Sequence, residues 1–536
     1  MKKKIDSKSY TYILFFLILI FSIAINYRNF NTFSLVQGDE FRDGLFSRVL
    51  PFGLSFTESY LPSFIYSSTK YCGEYFYSCA KFLNFLFYFS SLYFFYRFLT
   101  KEFSKNYSLL VTFIILIWPI NFYTTVYFFE CFFIFLVTLL IYLSTLNNRQ
   151  YLFYSFFILV SLALLSTKLI HSLPIIFSFL IVNYLVERKK NKRIILFSAT
   201  SVICIFILKY LSTSLISLDF NTEVLGNSAI NSYAISMLSW FYENLRLGYF
   251  FFIKKFLLEL IRIGSLYIVL FGLPFYLYIN NIKKQSNTSH FLLISLILLY
   301  IISSAFVAIN PINHHITRYF SYLLPFFIFS IKPSHRTSYP ALYTYIFFYS
   351  ISFFFVFLNI YDPNPSEVFN LPSNPDLISL FKGNKGFKSG YLIIIGSLIL
   401  NTYYLFLRKN YKLVLIIFTF LFLINSQLIL TKSILKRFIP TTAEKAASEF
   451  DYNQYKKKNE FRILMSNKNQ VIDAYRFLFF TGLYCKDKYQ SCFAEFIFID
   501  NIKTYKFDND KVYILLDYKE FSKERAKIEH NYKIIY

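Results

Sequence analysis

The chain has 536 residues, 56% of them hydrophobic and only 16% charged, and the apolar residues stand in unbroken runs rather than in an amphipathic pattern. Runs of about 20 apolar residues cross a hydrocarbon core, and backbone at that depth must satisfy its own hydrogen bonds, so the composition excludes a soluble enzyme and specifies an α-helical polytopic membrane protein. The net charge of +25 does not point to nucleic acid, because the basic residues sit in the loops between runs and not on one folded surface.

Met1-Lys2-Lys3-Lys4 precedes the first apolar run, which the positive-inside rule places with its start in the cytoplasm. No small-residue cleavage site follows Ala24, so this run is read as a span and not as a signal peptide. Further along, spans are expected near 10–27, 82–99, 107–122, 128–146, 151–166, 169–186, 194–216, 262–280, 290–308, 316–331, 341–360, 391–407 and 412–430, about 13 transmembrane helices. Alternation tests the count, because every loop that falls inside should be basic. The inner loops carry Lys101 and Lys105, then Arg149, Arg188-Lys189-Lys190, Lys283-Lys284, Lys332 with Arg336, and Arg408-Lys409. The long segments 28–81, 217–261 and 361–390 then lie outside, and so does the tail after Thr431.

Two domains follow: a transmembrane domain over 1–435, whose first outer loop is 28–81, and a small C-terminal extracytoplasmic α/β domain over 440–536. The tail is rich in Lys, Glu, Asp and Asn and has strand-like runs at Phe461–Met465, Phe496–Ile499 and Val512–Leu516, with a helical pattern at Gln470–Tyr484. Cys72 and Cys79 in the first outer loop, and Cys485 and Cys492 in the tail, share one spacing. Two disulfides outside the cytoplasm and four free thiols are both compatible with that spacing. Cys131 and Cys204 fall within spans and read as packing residues.

Charged groups at membrane depth cost several kcal/mol and usually mark a site. Four groups stand out, all at the outer end of their spans. Gly38-Asp39-Glu40-Phe41-Arg42 follows the first span; an acidic pair there can supply a general base and a partner that orients a hydroxyl, and the nearby Arg can bind phosphate. Glu130 begins the fourth span as the only acid of a long apolar stretch. Lys168 ends Leu164-Leu165-Ser166-Thr167-Lys168 on the outer side, against the positive-inside bias, which an anionic partner such as phosphate would explain. Asn313-His314-His315-Ile316-Thr317-Arg318-Tyr319 opens the tenth span and has the groups to bind a phosphate or diphosphate. Each group also has a plainer reading: a solvated acidic loop for the first, snorkelling side chains for Glu130 and Lys168, an interfacial anchor for the last.

Taken as an ordered set, these groups resemble the GT-C superfamily of membrane glycosyltransferases, whose members include the lipid A aminoarabinose transferases and the protein O-mannosyltransferases. The resembling parts are Asp39-Glu40 with Arg42, Pro62 and Gly73 in the same loop, the Pro119-to-Glu130 stretch, the run ending at Lys168, and Arg318-Tyr319 with Pro325. The resemblance implies an enzyme of the plasma (inner) membrane that moves a sugar from a polyprenyl-phosphate donor to a glycan, lipid or protein acceptor at the outer face, with inversion. It implies Asp39 as general base, assisted by Glu40. Arg42, Lys168 and Arg318 would hold the phosphate, with Glu130, His314, His315 and Tyr319 beside the substrate. At Glu58-Ser59-Tyr60-Leu61-Pro62 the chain departs from the aminoarabinose transferases, which would have a Lys-Pro pair after the acid. Glu58 is therefore not assigned to a metal, and a divalent cation is left open as cofactor.

Two other functions compete. A lipid-linked oligosaccharide polymerase or ligase should carry Arg and His in a late outer loop, whereas 361–390 has Lys382, Lys385 and Lys388 but no His. A transporter or flippase of lipid-linked saccharide should place charges near mid-membrane in several spans, whereas here they gather at one interface.

Overall fold

The computed structural model describes residues 7–30, 60–143, 150–165, 167–186, 249–309, 320–332, 339–357, 461–465, 495–498 and 512–515, with a few single positions besides. Its helices are α1 (Ser7–Phe30), α2 (Tyr60–Tyr66), α3 (Phe76–Glu102), α4 (Lys105–Leu116), α5 (Glu130–Leu143), α6 (Gln150–Leu165), α7 (Leu169–Val186), α8 (Tyr249–Asn280), α9 (Asn287–Ile309), α10 (Leu324–Ser330) and α11 (Tyr339–Phe357). This is a multi-pass membrane protein: four of these helices are long and apolar enough to cross a membrane, or five segments if α4 and the turn after it form one bent span. The expected spans at 194–216, 391–407 and 412–430 lie outside the described residues, apart from isolated positions.

The helices pack as a continuous bundle in which α3 sits against α1, α4 and α5, α5 continues to α6, α6 to α7, α7 to α9, and α8 lies between α9 and α11. Burial is uneven. Almost every residue of α5 is buried, whereas α1 turns Tyr12, Ile13, Phe15 and Phe16 outward. Lipid tails are as apolar as these side chains, so an outward aromatic face on a peripheral span carries no penalty.

Three expected spans come out differently. The span at 107–122 is broken: α4 ends at Leu116, and a 3₁₀ turn over Pro119–Thr125 follows at 56° to it. Proline forces the residue before it out of the helical region, and Trp118 is accordingly extended at φ −65°, ψ 148°. The span at 262–280 begins earlier, because α8 is helical from Tyr249, so residues 249–261 do not belong to an outer loop without structure. Lys254, Lys255, Glu259 and Arg262 alternate with Phe and Leu on its first part, and the helix is kinked at Phe271, three residues before Pro274. Glu259 and Arg262 pair one turn apart at 3.7 Å, which offsets the burial of Glu259. Finally, the span at 316–331 is not one helix over its described part: a 3₁₀ turn at Ser321–Leu323 leads into the seven residues of α10.

In the tail, β1 (Phe461–Met465), β2 (Glu495–Phe498) and β3 (Val512–Leu515) occupy the three strand-like runs and form a parallel sheet of order β2-β1-β3. Register pairs Ile463 with Phe496 and with Ile514. Parallel neighbours cannot be joined by tight hairpin turns, so the three strands are not a hairpin stack. Most of the helical pattern expected at Gln470–Tyr484 lies outside the described residues.

Candidate functional site

The site is built where α3, the broken end of α4, the start of α5 and the α6–α7 turn meet. Breaking α4 exposes carbonyls that a membrane cannot hydrate, so side chains must take their place. Asn121 donates from Nδ2 to the Leu116 carbonyl at 3.1 Å, and Thr124 donates to the Asn121 carbonyl at 2.6 Å. Asn29, near the end of α1, donates to Thr124 Oγ1 at 3.0 Å, and Asn84 of α3 donates to the Val126 carbonyl at 2.6 Å. Tyr66 of α2 closes the set by donating its hydroxyl to Asn84 Oδ1. These contacts hold the Pro119-to-Glu130 stretch rigidly, and it delivers Glu130 as the first residue of α5.

Glu130 is buried, with its side chain 6% exposed, and Lys168 Nζ donates to its Oε1 at 2.5 Å. A carboxylate at a helix N-terminus is favoured by the helix dipole, and here a lysine adds to that. Lys168 reaches it from a turn that its own neighbours define. The Thr167 and Lys168 amides both donate to the Leu164 carbonyl, ending α6, and the Lys168 carbonyl accepts from the Ser172 amide, beginning α7. Lys168 thus has an anionic partner within the protein, Glu130. Snorkelling is likewise set aside for Glu130, since it is buried and paired. Pairing is the physical reason for both, because an ion pair with a nearly dry carboxylate is favoured only when the partner charge sits within bonding distance.

Tyr322 joins them from the 3₁₀ turn before α10. It lies within electrostatic reach of Glu130, and its ring meets Phe133, one turn along α5, edge-on at 5.5 Å. Its hydroxyl is buried and makes no hydrogen bond among the described residues. Three segments far apart in sequence thus bring a carboxylate, an ammonium and a phenol together. Arg318 and Tyr319 stand immediately before this turn in sequence. Together with Asp39, Glu40, Arg42, His314 and His315, they lie outside the described residues. No group of three metal-ligating side chains occurs among the described residues.

Sequence reasoning missed Tyr322 and, more instructively, Lys81. That lysine is buried near the start of α3, where it read as the last residue of a loop. On the expected topology Lys81 stands in an outer segment, against the positive-inside bias that singled out Lys168, but so do other lysines, among them Lys70. Cys72 and Cys79 do form a disulfide, with Cα atoms 6.6 Å apart, joining the 3₁₀ turn at Ser67–Tyr75 to the first turn of α3. Cys485 and Cys492 lie outside the described residues, and Cys131 is a buried free thiol.

No protein-family model matches the chain, and no curated protein matches it. Among solved structures, the chain is similar to the crystal structure of ArnT from Cupriavidus metallidurans bound to undecaprenyl phosphate, at 10% identity and TM-score 0.48, over 87% of this chain and 84% of that chain. It is similar over the same shares to the crystal structure of that ArnT in the apo state, at 10% identity and TM-score 0.45.

Proposed function

We propose that this protein is a glycosyltransferase of the plasma membrane that moves a sugar from a polyprenyl-phosphate donor to a hydroxyl acceptor at the outer face. What carries the reading is the pair of buried Glu130 with Lys168 beside the Tyr322 hydroxyl, three polar groups brought to one place by segments far apart in sequence. Buried charges and unmatched hydroxyls at membrane depth are costly and are retained where a polar ligand meets them.

In this reading Asp39 accepts the proton of the acceptor hydroxyl while the oxygen attacks the anomeric carbon. The bond from that carbon to the lipid phosphate breaks, the phosphate leaves with the electron pair, and in-line attack inverts the centre. Glu40 orients the acceptor. Arg42, Lys168 and Arg318 offset the charge that develops on the phosphate, which is the largest catalytic contribution expected of such a site. Glu130 holds Lys168 in place, and His314, His315 and Tyr319 line the phosphate side.

The test is incubation of the purified full chain in nanodiscs with undecaprenyl phosphate carrying a pentose or a hexose, with lipid, glycan and peptide acceptors, and with and without a chelator. Release of undecaprenyl phosphate together with a glycosylated acceptor is the expected outcome. Movement of intact donor across a bilayer without release would instead mark a flippase. Orientation is read separately: single cysteines at Asn191 and Asn374 should label from the inside and the outside respectively, and labelling from the same side would sink the thirteen-span topology.

A further inference from the structure

Three cations lie within one or two contacts of the Pro119-to-Glu130 stretch, and they differ in what they face. Lys168 is matched by Glu130, so the pair together carries no net charge. Lys81 directs its donors at oxygens near the end of α1: Nζ donates to the Asn29 carbonyl at 2.7 Å, to Thr32 Oγ1 at 3.0 Å and to the Thr32 carbonyl. Arg28, in the last turn of α1, has neither arrangement. Its Nε and Nη2 both donate to the neutral amide oxygen of Asn29, each at 3.3 Å, longer than the usual distance of about 2.9–3.0 Å. A guanidinium has five N–H groups, and Arg28 forms no ion pair among the described residues.

Its position is not that of a side chain turned to lipid. Arg28 lies one turn on from buried Ile25 and next to buried Asn29, and is itself half-buried, whereas Ile23, Tyr27 and Phe30 form the outward stripe. Asn29 donates to Thr124, which fixes the oxygen that Arg28 meets. Arg28 is also within electrostatic reach of Tyr88 of α3, whose hydroxyl donates to the Ile115 carbonyl in the last turn of α4. Tyr88 is in turn within reach of the Cys131 thiol, next to Glu130. A guanidinium held there by one amide oxygen is costly, and an uncharged side chain would fill the space without that cost.

We propose that Arg28 is a phosphate-binding residue, whose guanidinium holds the phosphate of a polyprenyl lipid at the end of the bundle where Glu130 and Lys168 pair. A phosphate monoester carries a charge of about −1.5 to −2 at pH 7. The Glu130–Lys168 pair has no net charge to set against it; Arg28 does, and its fork matches two phosphate oxygens at once. Asn29 orients that fork. A lipid phosphate could also come from a bulk headgroup, but bulk headgroups meet arginines on the lipid-facing stripe, and Arg28 is off that stripe. That the phosphate belongs to a sugar donor rests on the transferase reading; the phosphate site does not.

The experiment measures binding of undecaprenyl phosphate, and of uncharged undecaprenol, to wild type, Arg28→Gln and Arg28→Lys as full chains in phosphatidylcholine nanodiscs. Arg28→Gln should bind undecaprenyl phosphate about 10- to 100-fold more weakly, the scale of a lost charge-assisted contact, and undecaprenol as the wild type does. Arg28→Lys, which keeps the charge but not the fork, should recover part of the loss. Phosphatidylglycerol added to the nanodisc should leave wild-type affinity unchanged; if it lowers that affinity to the level of Arg28→Gln, Arg28 serves bulk headgroups and the proposal fails. Unchanged affinity in Arg28→Gln overturns it as well, and so does an equal loss for undecaprenol, which marks damage to packing, or a wild type that binds no undecaprenyl phosphate. Should Arg28→Gln fail to insert, the wild type is treated with phenylglyoxal, which modifies arginine. Undecaprenyl phosphate should slow modification of Arg28 in peptide mass spectra and undecaprenol should not; equal rates overturn the proposal. Turnover of an undecaprenyl-phosphate pentose or hexose by the wild type is read in parallel. Binding that depends on Arg28 without any turnover sinks the transferase reading and leaves the phosphate site, whereas turnover with binding indifferent to Arg28 sinks the site and leaves the reading.

Discussion

Two lysine–glutamate pairs lie at opposite ends of the bundle. Asn84, in the first part of α3, bonds the Val126 carbonyl four residues before Glu130. Glu102 ends the same helix 18 residues further on, about 27 Å away, close to the thickness of a hydrocarbon core. At one end Lys168 meets Glu130 with side chains 20% and 6% exposed; at the other Lys332 meets Glu102 with side chains 36% and 27% exposed. The chemistry is the same and the surroundings are not. Water screens the Lys332–Glu102 pair and competes with it, so it fastens a loop at little net gain. Around Glu130 there is little water to compete, so the pair shapes what else can enter.

The largest expected effect enlists the Glu130 end alone. Asp39→Asn keeps shape and hydrogen bonding but cannot take a proton, and should lower turnover by about 10²–10⁴-fold with donor binding barely changed. Glu40→Gln should be milder. Turnover and donor affinity measured for both decide it, and a loss in Glu40→Gln with near-wild-type Asp39→Asn reverses the roles.

The comparison itself is broken or kept by truncating the two lysines. Lys168→Ala leaves a buried carboxylate without its partner and should cost about 3 kcal/mol of stability, whereas Lys332→Ala should cost about 1 kcal/mol or less. Thermal unfolding in one detergent reads both, and equal losses would mean that burial does not distinguish the ends. Lys168→Ala should also weaken binding of undecaprenyl phosphate by about 1.5–3 kcal/mol, the scale of a charge-assisted contact, while Lys332→Ala leaves it unchanged.

A smaller effect comes from the disulfide. Cys72 and Cys79 are seven residues apart, so losing the bond with Cys72→Ser should cost about 2 kcal/mol by loop-closure entropy. Mass spectrometry of unreduced peptides tests the Cys485–Cys492 pairing in the same run; alkylation of both without reduction refutes it.

The smallest effect has the opposite sign. Tyr322→Phe removes a buried hydroxyl that makes no hydrogen bond among the described residues, and should leave stability unchanged or raise it by up to about 1 kcal/mol. If the hydroxyl serves a ligand, undecaprenyl phosphate or donor sugar binds less tightly to the same variant. Stability that falls instead would place Tyr322 in the packing of α5.

Composition and run length were enough to establish a helical membrane protein, because bilayer thickness imposes a length on any apolar helix that crosses it. They located α7 at its observed bounds, placed α6 and α9 within a few residues, and marked Glu130 and Lys168 as polar residues out of place. Strand-like runs in the tail were legible for the same reason, since β-branched and aromatic clusters between polar stretches have few alternatives. What only the tertiary structure decided is which groups meet. That Glu130 answers Lys168, and that Lys81 answers the end of α1, depends on contacts 38 and 52 residues apart in sequence. The break after Leu116 was signalled by Pro119 but not its repair, because the side chains of Asn121, Thr124 and Asn29 that replace the lost helical bonds come together only when α1, α3 and α5 have packed. A local pattern reports how each segment meets the bilayer; the partners of a buried charge are set by whichever helices enclose it.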